Sequence, residues 1–153
     1  MIGLRSILLV TFLLIQGCGF QAVHKIERGN YALIKIENTG DKKISRYLER
    51  NFAKFELEKD SKHMYELIAN SKIDEQIKSR NTAGIAENLN LKIVIEIIIK
   101  EKGEVIGEKS FVENVSYSNL KNKFELNQYE KIIIEDQVKK MINKINFFIA
   151  SLK

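Results

Sequence analysis

Leu89-Asn90-Leu91-Lys92-Ile93-Val94-Ile95-Glu96-Ile97-Ile98-Ile99-Lys100 is the stretch that decides the fold class. Leu89, Leu91, Ile93, Ile95, Ile97 and Ile99 share one parity, while Asn90, Lys92, Glu96 and Lys100 share the other. Successive side chains of a strand point to opposite sides, so this alternation predicts a long strand with one face buried and one solvated. The β-branched side chains suit a pleated surface. Glu96 interrupts the apolar run, which is in any case shorter than the ~20 residues needed to span a bilayer as a helix.

Working outward toward the C-terminus, Lys102-Gly103-Glu104 reads as a hairpin turn. A fourth strand, Val105–Tyr117, follows, its alternation carried by Phe111, Val115 and Tyr117. Asn127 with Glu130 three residues on forms a capping pair. A helix to about Leu152 is then predicted from Ile134, Val138, Met141, Ile145, Phe148 and Leu152, widened by Ile142 and Ile149.

Toward the N-terminus, Lys78–Glu87 is polar, contains Gly84 and reads as a loop. Before it, Tyr65, Leu67, Ala69, Ile73 and Ile77 share one strand parity. Ile44, Tyr47, Leu48, Phe52 and Phe55 fall on one helical stripe, with Asp41 placed to cap it after the turn Asn38-Thr39-Gly40-Asp41. Tyr31–Glu37 alternates again, with Ala32, Ile34 and Ile36 on one side. The order strand, helix, strand, strand, strand, helix predicts an α+β fold: a mostly antiparallel four-stranded sheet with two helices packed on one face.

A chain of 153 residues accommodates one such domain, placed at residues 31–153. Hydrophobic residues make up 44% and charged residues 29%, an ordinary globular balance. The net charge of +5 comes from interspersed signs, without the basic block or aromatic interleaving of a nucleic-acid binder, so no nucleic-acid partner is expected.

The first residues differ in kind. Arg5 is followed by an apolar run from Ile7 to Ile15, broken only by Thr11, and then by Gln16, Gly17, Cys18 and Gly19. A short positive region, a short apolar region and small residues describe an export signal, residues 1–17. Its removal leaves +4, because Arg5 is its one charged side chain. Ile15-Gln16-Gly17-Cys18 resembles a bacterial lipobox, and Cys18 is the sole cysteine. Diacylglycerol on the Cys18 thiol and an acyl chain such as palmitate on the new amine would hold the chain at a membrane. Each buried CH₂ contributes ~0.8 kcal/mol, and stable anchoring takes more than one chain. Gly19, rather than Asp, after the cysteine favours the outer membrane. Residues 18–30 then form a lipidated tether on the periplasmic side.

Catalytic signatures are absent from the sequence. His24 and His63 are the only histidines, lack a metal-ligand spacing and read as surface residues. There is no Gly-x-Ser-x-Gly elbow and no Gly-rich phosphate loop. Asp74 and Glu75 adjoin on a strand and point to opposite faces, a poor start for a paired-carboxylate site. The expectation is a non-enzyme without metal or cofactor.

Cys18-Gly19-Phe20, the strand–helix order, Arg80-Asn81 in a polar loop leading into Leu89-Asn90-Leu91, Ser116-Tyr117 and the final amphipathic helix together resemble the LPS-assembly lipoprotein family. That resemblance implies a lipoprotein seated in the lumen of the outer-membrane LPS-translocon β-barrel, supporting its assembly and helping lipopolysaccharide reach the outer leaflet. It makes Arg80 a candidate for LPS phosphates, through the forked hydrogen bonds of its guanidinium, with Lys78 nearby. The competing expectation is an auxiliary lipoprotein of another envelope lipid-transport system, or a stand-alone periplasmic binding module.

Overall fold

A computed structural model describes residues 31–55 and 61–152. The predicted signal peptide, Cys18, the tether and His24 lie outside the described residues. The chain runs β1 (Tyr31–Gly40), α1 (Lys42–Phe52), a 3-10 turn (Ala53–Phe55), β2 (His63–Arg80), β3 (Ala86–Glu101), β4 (Glu104–Ser118) and α2 (Lys123–Ala150). The sheet order is β1-β2-β3-β4. β1 pairs parallel to β2 across the α1 crossover, while β2–β3 and β3–β4 are antiparallel hairpins. This is the predicted α+β architecture with both helices on one face, and its one parallel pair makes the sheet mixed.

β3 behaves as its sequence dictates. All six residues of the Leu89–Ile99 parity are buried, and Ile93, Ile95 and Ile99 are wholly so. α1 covers the β1 side through Ile44, Leu48 and Phe52, with Phe55 stacked on Tyr31 at 5.4 Å. α2 covers β3 and β4 through Ile134, Val138, Met141, Ile142, Ile145 and Ile149. The β3–β4 turn has positive φ at both central residues, Lys102 (52°) and Gly103 (85°), the twist that suits a two-residue hairpin.

Four local readings are corrected. In β1 the register shifts between Leu33 and Lys35, so Leu33 is buried and Ile34 is 58% exposed. A bulge inserts one residue and reverses side-chain parity, which no alternation count detects. Ile36, beyond it, again packs on the core. The segment Lys78–Glu87 is mostly strand: β2 continues to Arg80 and β3 starts at Ala86, leaving a five-residue loop at 81–85. Its polarity reflects an uncovered hairpin end, not irregular backbone. α2 begins earlier than predicted. Asn122 is its cap, accepting from the amides of Phe124 and Glu125 and donating to the Glu125 carboxylate at 3.1 Å. Asn122-x-x-Glu125 has the same spacing as Asn127-x-x-Glu130, and the earlier start brings Leu126 and Ile133 into the core. Finally, His63 is half-buried, bonded through Nδ1 to Glu101 at 3.1 Å and stacked on Tyr65.

The cap predicted for α1 is present: an Asp41 carboxylate oxygen accepts from the amides of Lys43 and Ile44 at 2.8 and 3.1 Å. Gly40 makes that entry geometrically feasible. Its φ is +94°, and a Cβ there would lie 1.9 Å from the Ser71 carbonyl oxygen. The same carbonyl accepts from the Asp41 amide at 3.0 Å, tying the end of β1 to the middle of β2.

Candidate functional site

The candidate residues Lys78 and Arg80 lie at the free end of the β2–β3 hairpin. β1 pairs with β2 only as far as Ser71, so residues 72–80 form a sheet edge. Register shifts flank Ser79, marking a bulge at Lys78 and Ser79. Bulges re-aim side chains, and both residues here reach polar groups of the sheet face away from the helices. Lys78 Nζ donates to Ser116 Oγ at 2.8 Å, and Ser116 donates on to Asn90 at 3.3 Å. Asn88 donates to Ser79 Oγ at 2.9 Å. Lys78, Ser79, Asn88 and Ser116, with Tyr117 and Ser118, line a shallow cleft of about 450 Å³.

Arg80 is placed differently. Its guanidinium donates to the Gly84 carbonyl at 2.8 Å across the loop. The Asn81 side-chain oxygen accepts from the amides of Ala83 and Ile85, both at 3.0 Å, and the Asn81 amide donates to Ile85 O at 2.9 Å. The loop is therefore closed by its own hydrogen bonds. The guanidinium is exposed and forms no ion pair among the described residues, so donors remain for an anion. No bond joins Arg80 to Lys78. Exposed Ile85 stands beside them at the loop end, giving this tip an apolar as well as a cationic character.

One cluster in the same half escaped the sequence reading. Tyr117 places its hydroxyl 3.0 Å from both Glu75 Oε2 and Glu130 Oε1, linking β4, β2 and α2. Glu75 thus meets a second carboxylate, but from α2 rather than from its neighbour Asp74. Burial, then the two carboxylates, hold the Tyr117 hydroxyl far above its ordinary pKa, because ionisation would add a third negative charge there. The helical residue was legible only as a capping partner of Asn127, and strand spacing carries no information about which helix turn lies above it. Since one hydroxyl proton joins the pair, the cluster acts as a polar clamp on the hairpin.

No family model matches this chain, and no curated protein matches its sequence. Solved structures do match. Rare lipoprotein B from Shewanella oneidensis superimposes with a TM-score of 0.57 at 10% identity, over 77% of this chain and 98% of that one. Lipoprotein B from Nitrosomonas europaea gives 0.56 at 11% identity, over 81% and 90%. A minor lipoprotein from Acinetobacter baumannii gives 0.54 at 14% identity, over 75% and 90%. The chain has the fold of these lipoproteins. At such identities the likeness concerns the backbone arrangement. It does not carry over any side-chain role.

Proposed function

We propose that the protein is an outer-membrane lipoprotein, anchored through Cys18 on the periplasmic side, that plugs the LPS-translocating β-barrel, supports its assembly and assists LPS delivery without catalysis. The observation that carries this reading is a fold shared with three bacterial lipoproteins over nearly their whole length, in a chain whose Ile15-Gln16-Gly17-Cys18 reads as a lipidation signal. The sheet face opposite the helices supports it further. It presents Asn70, Lys72, Asp74, Lys92 and Glu96 around the cross-strand pair Val94–Val112. A mixed-charge face suits the polar interior of a large barrel. The exposed guanidinium of Arg80, on a loop braced by Asn81, is the group we assign to LPS phosphates.

The test is purification of the tagged full chain from detergent-solubilised outer membranes. The expected result is stoichiometric recovery of a large LPS-export barrel. Recovery of an inner-membrane ABC transporter complex in its place would overturn the proposal in favour of a different lipid-transport system. Arg80→Asp sharpens the ligand assignment. LPS binding is expected to fall while thermal stability stays within about 0.5 kcal/mol, as for other exposed positions. Unchanged LPS binding removes Arg80 from the site.

A further inference from the structure

The two helices enclose a second charged feature, well away from the hairpin tip. α1 sets Lys43, Arg46 and Arg50 on one side at spacings of three and four residues, so all three face the same groove. Lys131 of α2 faces them from the opposite wall. The floor is Ile134 and the ring of Tyr47, and the groove encloses about 440 Å³, the size of a small-molecule site. Four cationic side chains thus meet a single carboxylate, Glu135, and that carboxylate already accepts the Tyr47 hydroxyl at 3.0 Å.

The Asp41 cap and Arg50 in the last turn suit the dipole of α1, but its first turn has no acidic residue and begins with Lys42 and Lys43. Arg46 and Arg50 are like charges one turn apart, a destabilising pair. Neither forms an ion pair among the described residues: Arg46 donates to the Lys42 carbonyl at 3.2 Å, and Arg50 lies over the Tyr47 ring at 5.0 Å. The ammonium groups of Lys43 and Lys131 have no hydrogen-bond or ion-pair partner among the described residues, Lys43 bonding to Asp41 only through its backbone amide. Converging, uncompensated cations above an apolar floor are arranged to receive an anion with several acceptor oxygens.

We propose that this inter-helix groove is a binding site for a phosphoryl group, borne either by a soluble phosphate compound or by a lipid headgroup. It does not rest on the barrel reading. Lys43 follows the β1–α1 junction at the level of Ser71, and the nine residues of strand from there to Arg80 put the α1 wall of the groove ~30 Å from the hairpin tip. The groove and the hairpin cleft share no lining residue. Three cations from α1 and one from α2 surround the phosphoryl oxygens, and Tyr47 and Ile134 support whatever apolar body is attached.

The experiment uses the full chain in nonionic detergent micelles and reads the Nε–Hε resonance of Arg50 by NMR. Inorganic pyrophosphate is titrated in one arm. In the other, part of the detergent is replaced by phosphatidic acid. Saturable shifts with pyrophosphate assign the site to soluble phosphates, and shifts with phosphatidic acid alone assign it to a lipid headgroup. In either arm, Lys43→Gln and Arg46→Gln are each expected to weaken binding about tenfold, the worth of one charged hydrogen bond. The charge-matched pair Lys102→Gln and Lys109→Gln, exposed on the β3–β4 hairpin, should leave it unchanged. Absence of saturable shifts in both arms overturns the proposal. So does equal weakening by the two pairs of variants, which would mean diffuse charge attraction.

Discussion

The two halves of β2 have the same length of strand and opposite surroundings. Residues 63–71 lie between β1 and β3, under both helices, and Leu67 and Ala69 are wholly buried there. Residues 72–80 have β3 on one side and no strand on the other, and Ile77, on the same parity as Leu67, is 47% exposed. The first half is held by apolar packing; in the second, Ile73 still packs on the core, and beyond it the links are polar: Tyr117 to Glu75, Lys78 to Ser116 and Asn88 to Ser79. Stability is thereby concentrated where β1 and α1 cover the sheet. The uncovered half leaves the Arg80 guanidinium and Ile85 exposed at its tip, at the less densely packed end of the domain.

Substitutions can break this comparison. The largest expected effect is in the covered half: Leu67→Ala should cost about 2–5 kcal/mol by chemical denaturation, while Ile77→Ala should cost less than about 1 kcal/mol. Equal losses would mean that the halves are not energetically distinct. Next comes the boundary. Gly40→Ala puts a Cβ against the Ser71 carbonyl at a positive φ, and should cost at least about 2 kcal/mol. A smaller loss would show that the β1–α1 junction rearranges freely.

A smaller effect than at the boundary is expected at the polar clamp of the uncovered half. Tyr117→Phe should cost about 1 kcal/mol at neutral pH, the worth of one hydrogen bond. Its sharper signature is alkaline. Because the folded pKa of Tyr117 lies above its ordinary value of 10.0, this contribution is full below that pH and is lost as pH rises beyond it. The phenylalanine variant should therefore lose less stability than the parent chain above pH ~10. Parallel alkaline profiles would dissociate the hydroxyl from the clamp.

Much of the fold was legible because it follows from local periodicity. The parity of Leu89–Ile99, the stripe Ile134–Ile149 and the cap at Asp41 are each set by neighbours within a few residues. The bulge at Ile34 was not legible, since the apolar run Ala32–Ile34 fits either register until β2 selects one. The choice between Asn122 and Asn127 likewise depended on which start buries Leu126. Of the candidate site, the sequence marked Lys78 and Arg80. It could not show that one is tied to Ser116 and the other to its own loop.

What the sequence determined alone is the α+β class, the long alternating strand and the two amphipathic helices, because backbone geometry converts spacing directly into faces. Tertiary structure decided which groups from distant segments meet. Glu75 and Glu130 converge on Tyr117, and Lys43, Arg46 and Arg50 confront Lys131, because α1 and α2 are packed side by side on one sheet. Such meetings depend on the order and tilt of packed elements, and no periodicity within a single segment encodes them.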